Sequence, residues 1–197
     1  MTDVPAPGTV GAIAIAYTGH CVRVSDAIAA QAGAIEALID VMLSAGAIHC
    51  YAFGRSGHAA ASLTIRLRHF QRFLPPAWWV GDQVRNPFEP GQLLIVFSRL
   101  GTRFELVELV RHARERGLAC AFVTRMPDMG GHGDGVIRPG DIVIKLPSMD
   151  PDPLSPAPLY GGGDFEIAAY LFQEVLITRI GFRCAVPASD VERFHVH

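Results

Sequence analysis

Short apolar runs recur along this chain, and they alternate with stretches in which apolar and polar residues follow a helical period. The runs are rich in branched and aromatic residues and are bounded by glycine, proline or polar residues, as is typical of buried strands. We therefore expect five β-strands, at residues 47–53, 78–80, 93–97, 119–124 and 141–146.

The stretches between the strands carry apolar residues at three- and four-residue spacing, which predicts amphipathic helices packed on a sheet. Ser25 and Asp164 are expected to cap the first and the last helix, because their side chains can accept hydrogen bonds from free backbone N–H groups. Residues 1–24 show no clear periodicity, so we expect an irregular arm there. Four helices are predicted, at residues 25–46, 58–74, 103–116 and 164–180.

The alternation of strands with helices predicts the α/β class. We expect a three-layer α-β-α arrangement, in which helices cover both faces of a five-stranded parallel sheet. With 197 residues, of which 50% are hydrophobic, the chain can bury one full α/β core. A single domain is therefore expected at residues 25–182, between the arm at 1–24 and a C-terminal tail at 183–197.

Two small turns follow strands in this scheme, and both lead into helices. The first reads Gly54-Arg55-Ser56-Gly57, and the second reads Ser98-Arg99-Leu100-Gly101-Thr102. The free N–H groups and the positive dipole end of a helix start favour an anion, and glycine allows close backbone approach. Because the carboxyl ends of parallel strands share one edge of a sheet, the two turns are expected to meet at the topological switch point. We predict a local anion site between them.

The overall charge gives no sign of a polyanionic partner. The net charge is -2 and the sequence pI is near 6.4, so we expect neither a nucleic acid nor an anionic membrane surface as partner. The histidines show no paired metal-ligand spacing, so no metal is assigned. The first strand ends without GxGxxG, which disfavours a nucleotide-binding Rossmann protein. No cofactor is expected.

The cysteines and the apolar N-terminal segment bear on the compartment. The four cysteines are widely spaced without a CxxC pair, which suits reduced thiols and a reducing compartment. The apolar run at 10–16 lacks preceding basic residues and is far shorter than the roughly 20 residues of a membrane span. We therefore expect a cytoplasmic protein. Its mean hydropathy is +0.27, so another subunit is expected to cover part of the apolar surface, in a homodimer or homotetramer.

Four segments carry a family resemblance. They are Phe53-Gly54-Arg55-Ser56-Gly57, Arg66-Leu67-Arg68-His69, Val80-Gly81-Asp82 with residues 87–95, and Pro158-Leu159-Tyr160-Gly161 through Phe165-Glu166. In order and spacing these segments resemble the sugar isomerase (SIS) family, and within it the 6-phospho-3-hexuloisomerases, over roughly residues 33–180. The resemblance implies a flavodoxin-like SIS fold and a phosphosugar isomerase. The implied substrate is a ketohexose phosphate such as 3-hexulose 6-phosphate, converted to fructose 6-phosphate.

The resemblance also implies two catalytic residues. Glu166 matches the family's catalytic glutamate, and it would move a proton between adjacent carbons through an enediol. The alternative is a first-turn glutamate that only complements the helix dipole. His69 matches a histidine of the hexuloisomerase pattern and would assist transfer between substrate oxygens, within the chain or across a subunit interface. Its alternative is a packed or surface histidine.

The sugar phosphate is expected at the two turns, on Gly54, Arg55, Ser56, Ser98, Gly101, Thr102 and Arg103. The second turn departs from the family's hydroxyl-rich Ser-Gly-Ser-Gly-x-Thr pattern, because Leu100 and Arg103 stand where hydroxyl residues are expected. Arg99 and Arg103 both belong to this turn, and a guanidinium beside the pocket can offset the lost hydrogen bonds by a bidentate contact. The alternative is that both arginines are solvated and the phosphate site has decayed. Two functions stay open: an isomerase, or a non-catalytic phosphosugar-binding module that senses a metabolite.

Overall fold

The computed structural model describes residues 6, 8–83, 85–101, 103–125, 136–149 and 163–193. These ranges contain six helices and five strands. The helices are α1 (Val10–Ala30), α2 (Ala32–Ser44), α3 (Arg55–Arg68), α4 (Phe104–Glu115), α5 (Asp164–Arg183) and α6 (Ala188–Glu192). The strands are β1 (Ile48–Ala52), β2 (Ala77–Trp79), β3 (Leu93–Ser98), β4 (Ala119–Thr124) and β5 (Ile142–Lys145).

The five strands form one parallel sheet in the order β2-β1-β3-β4-β5, which confirms the predicted α/β class. From β1 the chain first adds β2 on one side and then crosses over to β3 on the other. The topological switch point therefore lies between β1 and β3, where Ala52 at the end of β1 pairs with Phe97, the last but one residue of β3. The turns after these two strands lie side by side at this edge.

Helices cover the two faces of the sheet unequally. The larger core lies under α1, α2, α3 and α5, where side chains such as Phe97 and Phe172 are fully buried. The smaller core lies under α4, where Leu106 and Val110 pack against alternate residues of β3 and β4. Residues such as Ile95 and Val96 point to opposite faces, so both faces need cover and the strands read as continuous apolar runs.

The irregular arm expected at 1–24 is wrong from Val10 onward, and the single helix expected at 25–46 is wrong as well. The chain is helical from Val10, where Thr9 caps α1 by accepting from the N–H of Ala12. Ser25 lies inside α1 and donates to the carbonyl of Cys21, 3.0 Å away. The helical period was hidden because α1 is apolar on its exposed side as well, as at Val10 and Ile15.

A break at Gln31 separates α1 from α2. The side chain of Gln31 both donates to and accepts from the backbone of Lys145 in β5, at 2.8 Å each. No helix in the described ranges is long and apolar enough to span a membrane by itself; α1 and α2 reach that length and composition only as a pair, across a bend of 70°. The expected tail at 183–197 contains the short helix α6.

Candidate functional site

A pocket of about 290 Å³ opens at the switch point, beyond the ends of β1 and β3. Its volume lies at the lower end of ordinary ligand pockets, which suits a small metabolite. It brings together most of the residues predicted from the sequence, namely Gly54, Arg55, Ser56, Ser98, Gly101, Arg103 and Glu166. Thr102 lies outside the described residues.

The first turn exposes the start of α3 to this pocket. Gly54 has φ +60° and ψ -136°, a conformation that favours glycine, and it offers no side-chain cap to the helix. The N–H of Gly57 bonds back to the carbonyl of Gly54 at 3.0 Å and closes the turn. The first N–H groups of an α-helix have no acceptor within the helix, and no side chain caps α3, so this helix start suits an anion.

The second turn is held by Ser98, whose hydroxyl oxygen accepts from the N–H of Gly101 at 2.9 Å. Gly101 has φ +67°, so both turns need a glycine with positive φ. Arg103 precedes α4 and forms no side-chain cap hydrogen bond to it. The hydroxyl of Ser98 therefore shapes the turn that leads into the second helix start.

Glu166 reaches the pocket from the first turn of α5. Ser56 Oγ donates to its Oε1 at 2.8 Å, and Arg55 Nη2 lies 3.5 Å from its Oε2. The Glu166 side chain is only 17% exposed, and within the described chain Oε2 is buried and accepts no hydrogen bond. The carboxylate is thus placed by two consecutive residues of the first turn. Ser56, predicted to bind phosphate, here donates its hydroxyl hydrogen to Glu166.

Positive charge dominates the pocket. Among the described residues that line it, three arginines face one carboxylate, although the whole chain carries a net charge of -2. The guanidinium of Arg103 lies over the ring of Phe53, 4.7 Å from its centroid, as a cation–π contact. Arg99 Nε is buried and has no acceptor in the part of the chain that is described. This arrangement favours an anionic ligand.

The structure separates His69 from the pocket. His69 is the residue at which α3 ends, whereas Arg55 and Ser56 begin that helix. Fourteen residues at 1.5 Å each place them about 20 Å apart along the helix axis. Within a single chain, His69 is therefore not next to Glu166.

The pocket is also lined by residues that were not predicted to bind the ligand, namely Phe53, Phe97 and Leu100. Arg99, which the sequence indicated together with Arg103 as a possible replacement for the lost hydroxyls, lines it as well. Each lies within or next to one of the two turns, so their position in sequence already indicated them. Among the described residues, no group of three histidine, cysteine or acidic side chains is arranged to hold a metal ion.

No protein-family profile and no curated protein matches this chain, but solved structures share its fold. A hypothetical protein from Methanococcus jannaschii, with an inferred molecular function of 3-hexulose-6-phosphate isomerase, is 20% identical, with a TM-score of 0.75 over 92% of this chain and 96% of that one.

Two further neighbours represent different activities. A phosphoheptose isomerase from Francisella tularensis is 18% identical, with a TM-score of 0.62 over 83% of this chain and 94% of that one. The sugar isomerase domain of an RpiR transcription factor from Sphaerobacter thermophilus is 16% identical, with a TM-score of 0.66 over 91% and 95%. The chain thus has the fold of sugar isomerase domains, as its sequence led us to expect.

Proposed function

We propose that this protein is a phosphosugar isomerase that uses Glu166 as its base. One observation carries the proposal: a largely buried carboxylate lies against Ser56 in a pocket that three arginines and the turns before two helices also line. The helix starts and guanidiniums suit a phosphate, and the carboxylate suits proton transfer. A phosphoheptose isomerase and a protein with an inferred function of 3-hexulose-6-phosphate isomerase share the fold, which supports an isomerase.

The charges suggest how a sugar phosphate lies in the pocket. A phosphate dianion at Ser56 would meet the Glu166 carboxylate, which already accepts the Ser56 hydroxyl hydrogen at 2.8 Å. The second turn offers Arg99 and Arg103 and no carboxylate among its described residues. The phosphate therefore binds at the second turn, and the carbonyl end of the sugar lies toward Glu166.

The reaction then needs one base and one positive charge. Glu166 removes the proton from the carbon next to the carbonyl, which leaves an enediolate, and returns that proton to the former carbonyl carbon as the oxygens exchange a proton. Arg55, 3.5 Å from Glu166, lies where a guanidinium can stabilise the negative charge of the enediolate. The substrate we favour is 3-hexulose 6-phosphate, with fructose 6-phosphate as product.

The proposal includes a role for His69 and an oligomer. Because His69 lies at the far end of α3, it can assist only from a neighbouring subunit, so its role requires a homodimer or homotetramer. Light scattering tests that requirement. The four cysteines are free thiols, in keeping with a cytoplasmic protein.

An assay over several ketose and aldose phosphates tests the function, with Glu166→Gln as the decisive variant. We expect the variant to bind sugar phosphate but to lose turnover by roughly 10²- to 10⁴-fold, the range that a general base supplies. Glu174→Gln is the matched control, because Glu174 lies on the same helix, pairs with Arg66 and is 53% exposed. Equal turnover of parent and Glu166→Gln contradicts the proposal.

A second candidate function is a non-catalytic module that binds a phosphosugar as a signal. Leu100 replaces a hydroxyl in the second turn, and an RpiR transcription factor shares the fold. In the same assay, tight binding of a sugar phosphate by the parent without turnover of any of them favours the sensor.

A further inference from the structure

A histidine of α1 contacts the start of the helix that carries Glu166. His20 is fully buried, and its Nε2 lies 2.9 Å from the main-chain oxygen of Asp164, the first residue of α5. A carbonyl oxygen can only accept, so Nε2 carries the hydrogen and donates it. A buried donor from α1 thus holds the beginning of α5.

Asp164 is held from a second side by its own carboxylate. The side chain is buried, and its Oδ2 accepts from the N–H of Met149, which follows β5, at 2.8 Å. The first turn of α5 is therefore fixed both by α1 and by the segment after β5.

This arrangement lowers the stability of the fold, so stability does not explain why it is present. Within the described ranges, His20 Nδ1 and Asp164 Oδ1 are buried without a hydrogen-bond partner. A buried polar atom left unpaired costs roughly 1–3 kcal/mol, and apolar residues of similar volume would often avoid that cost. Local rules of stability are broken most often where a site needs a fixed geometry.

The site that needs such geometry is two residues away. Glu166 must leave α5 at a position from which its Oε1 meets Ser56 Oγ at 2.8 Å. A shift of the first turn of α5 would move this carboxylate relative to the pocket. Misplacement of a reacting group by about 1 Å can lower a rate by roughly 10²-fold.

We propose that His20 is a positioning residue: its hydrogen bond to Asp164 fixes the first turn of α5 so that Glu166 meets the substrate carbon. The proposal rests on the proposed role of Glu166 as the base. It gives α1 a part in the site, although no residue of α1 lines the pocket among the described residues.

Two substitutions of His20 test the hydrogen bond apart from the packing. His20→Met fills similar space without a donor, and we expect kcat to fall about 10- to 100-fold with KM nearly unchanged, since the phosphate site is untouched. His20→Gln places an amide N–H near the position of Nε2, and we expect it to restore most of kcat. A residue that only packs would give two equally impaired variants, and that result overturns the proposal.

The positioning role of His20 can also be tested without measuring turnover, so that it is judged independently of the isomerase function. The ¹³C carboxyl resonance of Glu166 in labelled protein is expected to move in His20→Met and to stay near the parent position in His20→Gln. If the parent turns over no sugar phosphate, the isomerase proposal fails, and this resonance still decides the role of His20. A resonance unmoved in His20→Met overturns it.

If His20→Met does not fold, His20→Asn takes its place. Asparagine keeps an amide N–H but is one methylene shorter than glutamine, so its donor does not reach the Asp164 oxygen that Nε2 of His20 contacts at 2.9 Å. We expect the Glu166 resonance to move and kcat to fall in His20→Asn relative to His20→Gln. A folded His20→Asn protein with the parent's resonance and kcat overturns the proposal.

Discussion

Arg103 is the residue at which this pocket departs most from a hydroxyl-lined phosphate site. It stands just before α4, its guanidinium lies over Phe53, and it borders the pocket. A flat guanidinium held on an aromatic ring is already oriented, so less freedom is lost when it binds an anion. The arginine can therefore replace a hydroxyl donor at this turn.

Substitution of Arg103 tests that replacement. We expect Arg103→Ala to weaken the binding of a sugar phosphate by roughly 10- to 100-fold, because a hydrogen bond to a charged group contributes about 1.5–3 kcal/mol. Arg111→Ala serves as control: Arg111 lies on α4 as well, but it pairs with Glu108 and Glu115 at the surface. Calorimetric titration measures both. Unchanged affinity in Arg103→Ala removes the arginine from the phosphate site.

A single residue of α5 also weakens the core. Gln173 is fully buried, and within the described chain neither its Nε2 nor its Oε1 has a hydrogen-bond partner. We expect Gln173→Met to raise the free energy of unfolding by about 1–3 kcal/mol, since methionine has similar volume and no polar group to leave unpaired. Urea unfolding with an unchanged m-value measures the gain.

Replacement of glutamine by methionine at Gln31 should change the free energy of unfolding in the opposite direction. Gln31 makes hydrogen bonds to the backbone of Lys145 and of Ala27. Gln31→Met is therefore expected to lower the free energy of unfolding by about 1 kcal/mol or more. If both methionine variants shift stability in the same direction, hydrogen-bond satisfaction is not what separates these two glutamines.

At the level of elements, the connection from β1 to α3 depends on one glycine. A Cβ on Gly54 would meet no atom within 4 Å, but the residue has φ +60°. We expect Gly54→Ala to lower the free energy of unfolding by about 1–3 kcal/mol, entirely through backbone strain, and to weaken sugar phosphate binding. Thermal unfolding and ligand titration measure the two effects.

Gly33→Ala is the matched control for that substitution. Gly33 lies near the start of α2, also with open space at its Cβ but without a positive φ. Alanine there is expected to raise the free energy of unfolding by up to about 1 kcal/mol. Equal stability of the two alanine variants contradicts the strain at Gly54.

Elements with a clear period were predictable, and α1 was not. The strands after residue 47 are short and apolar, and glycine, proline or polar residues bound them, so local pattern and final structure agree. In α1 apolar residues lie on both sides of the helix: Val24 and Ile28 are buried, while Val10 and Ile15 are exposed. A helix without one polar face gives no amphipathic signal.

At the scale of the whole molecule, some features of the site are local in sequence and others depend on how distant elements pack. The two turns are local in sequence, so their glycines and arginines could be predicted from it. The contact of Ser56 with Glu166 joins residues 110 positions apart, and that of His20 with Asp164 joins residues 144 apart. Such contacts follow from how α1, α3 and α5 pack together, which periodicity does not determine.

Stability of the whole fold should depend on pH through His49 in β1. His49 is fully buried on the α4 side of the sheet, donates from Nε2 to Gln92 at 2.8 Å and packs edge-on against Phe88. Burial lowers the pKa of His49 below its ordinary value of 6.5; the hydrogen bond with Gln92 raises it in part, and Arg85 lowers it. The folded protein therefore favours the neutral ring.

Because protonation of His49 is linked to unfolding, the lowered pKa determines how the free energy of unfolding changes with pH. Below pH 6.5 the unfolded chain takes up a proton at His49 that the folded protein does not, until the pH reaches the lowered pKa. The free energy of unfolding therefore falls as the pH drops through this window. We expect His49→Met to show a smaller fall than the parent between pH 7 and pH 5, measured by urea unfolding at each pH. His58→Gln, at an exposed histidine, should keep the parent's slope. If His49→Met keeps that slope as well, protonation of another group causes the acid loss of stability.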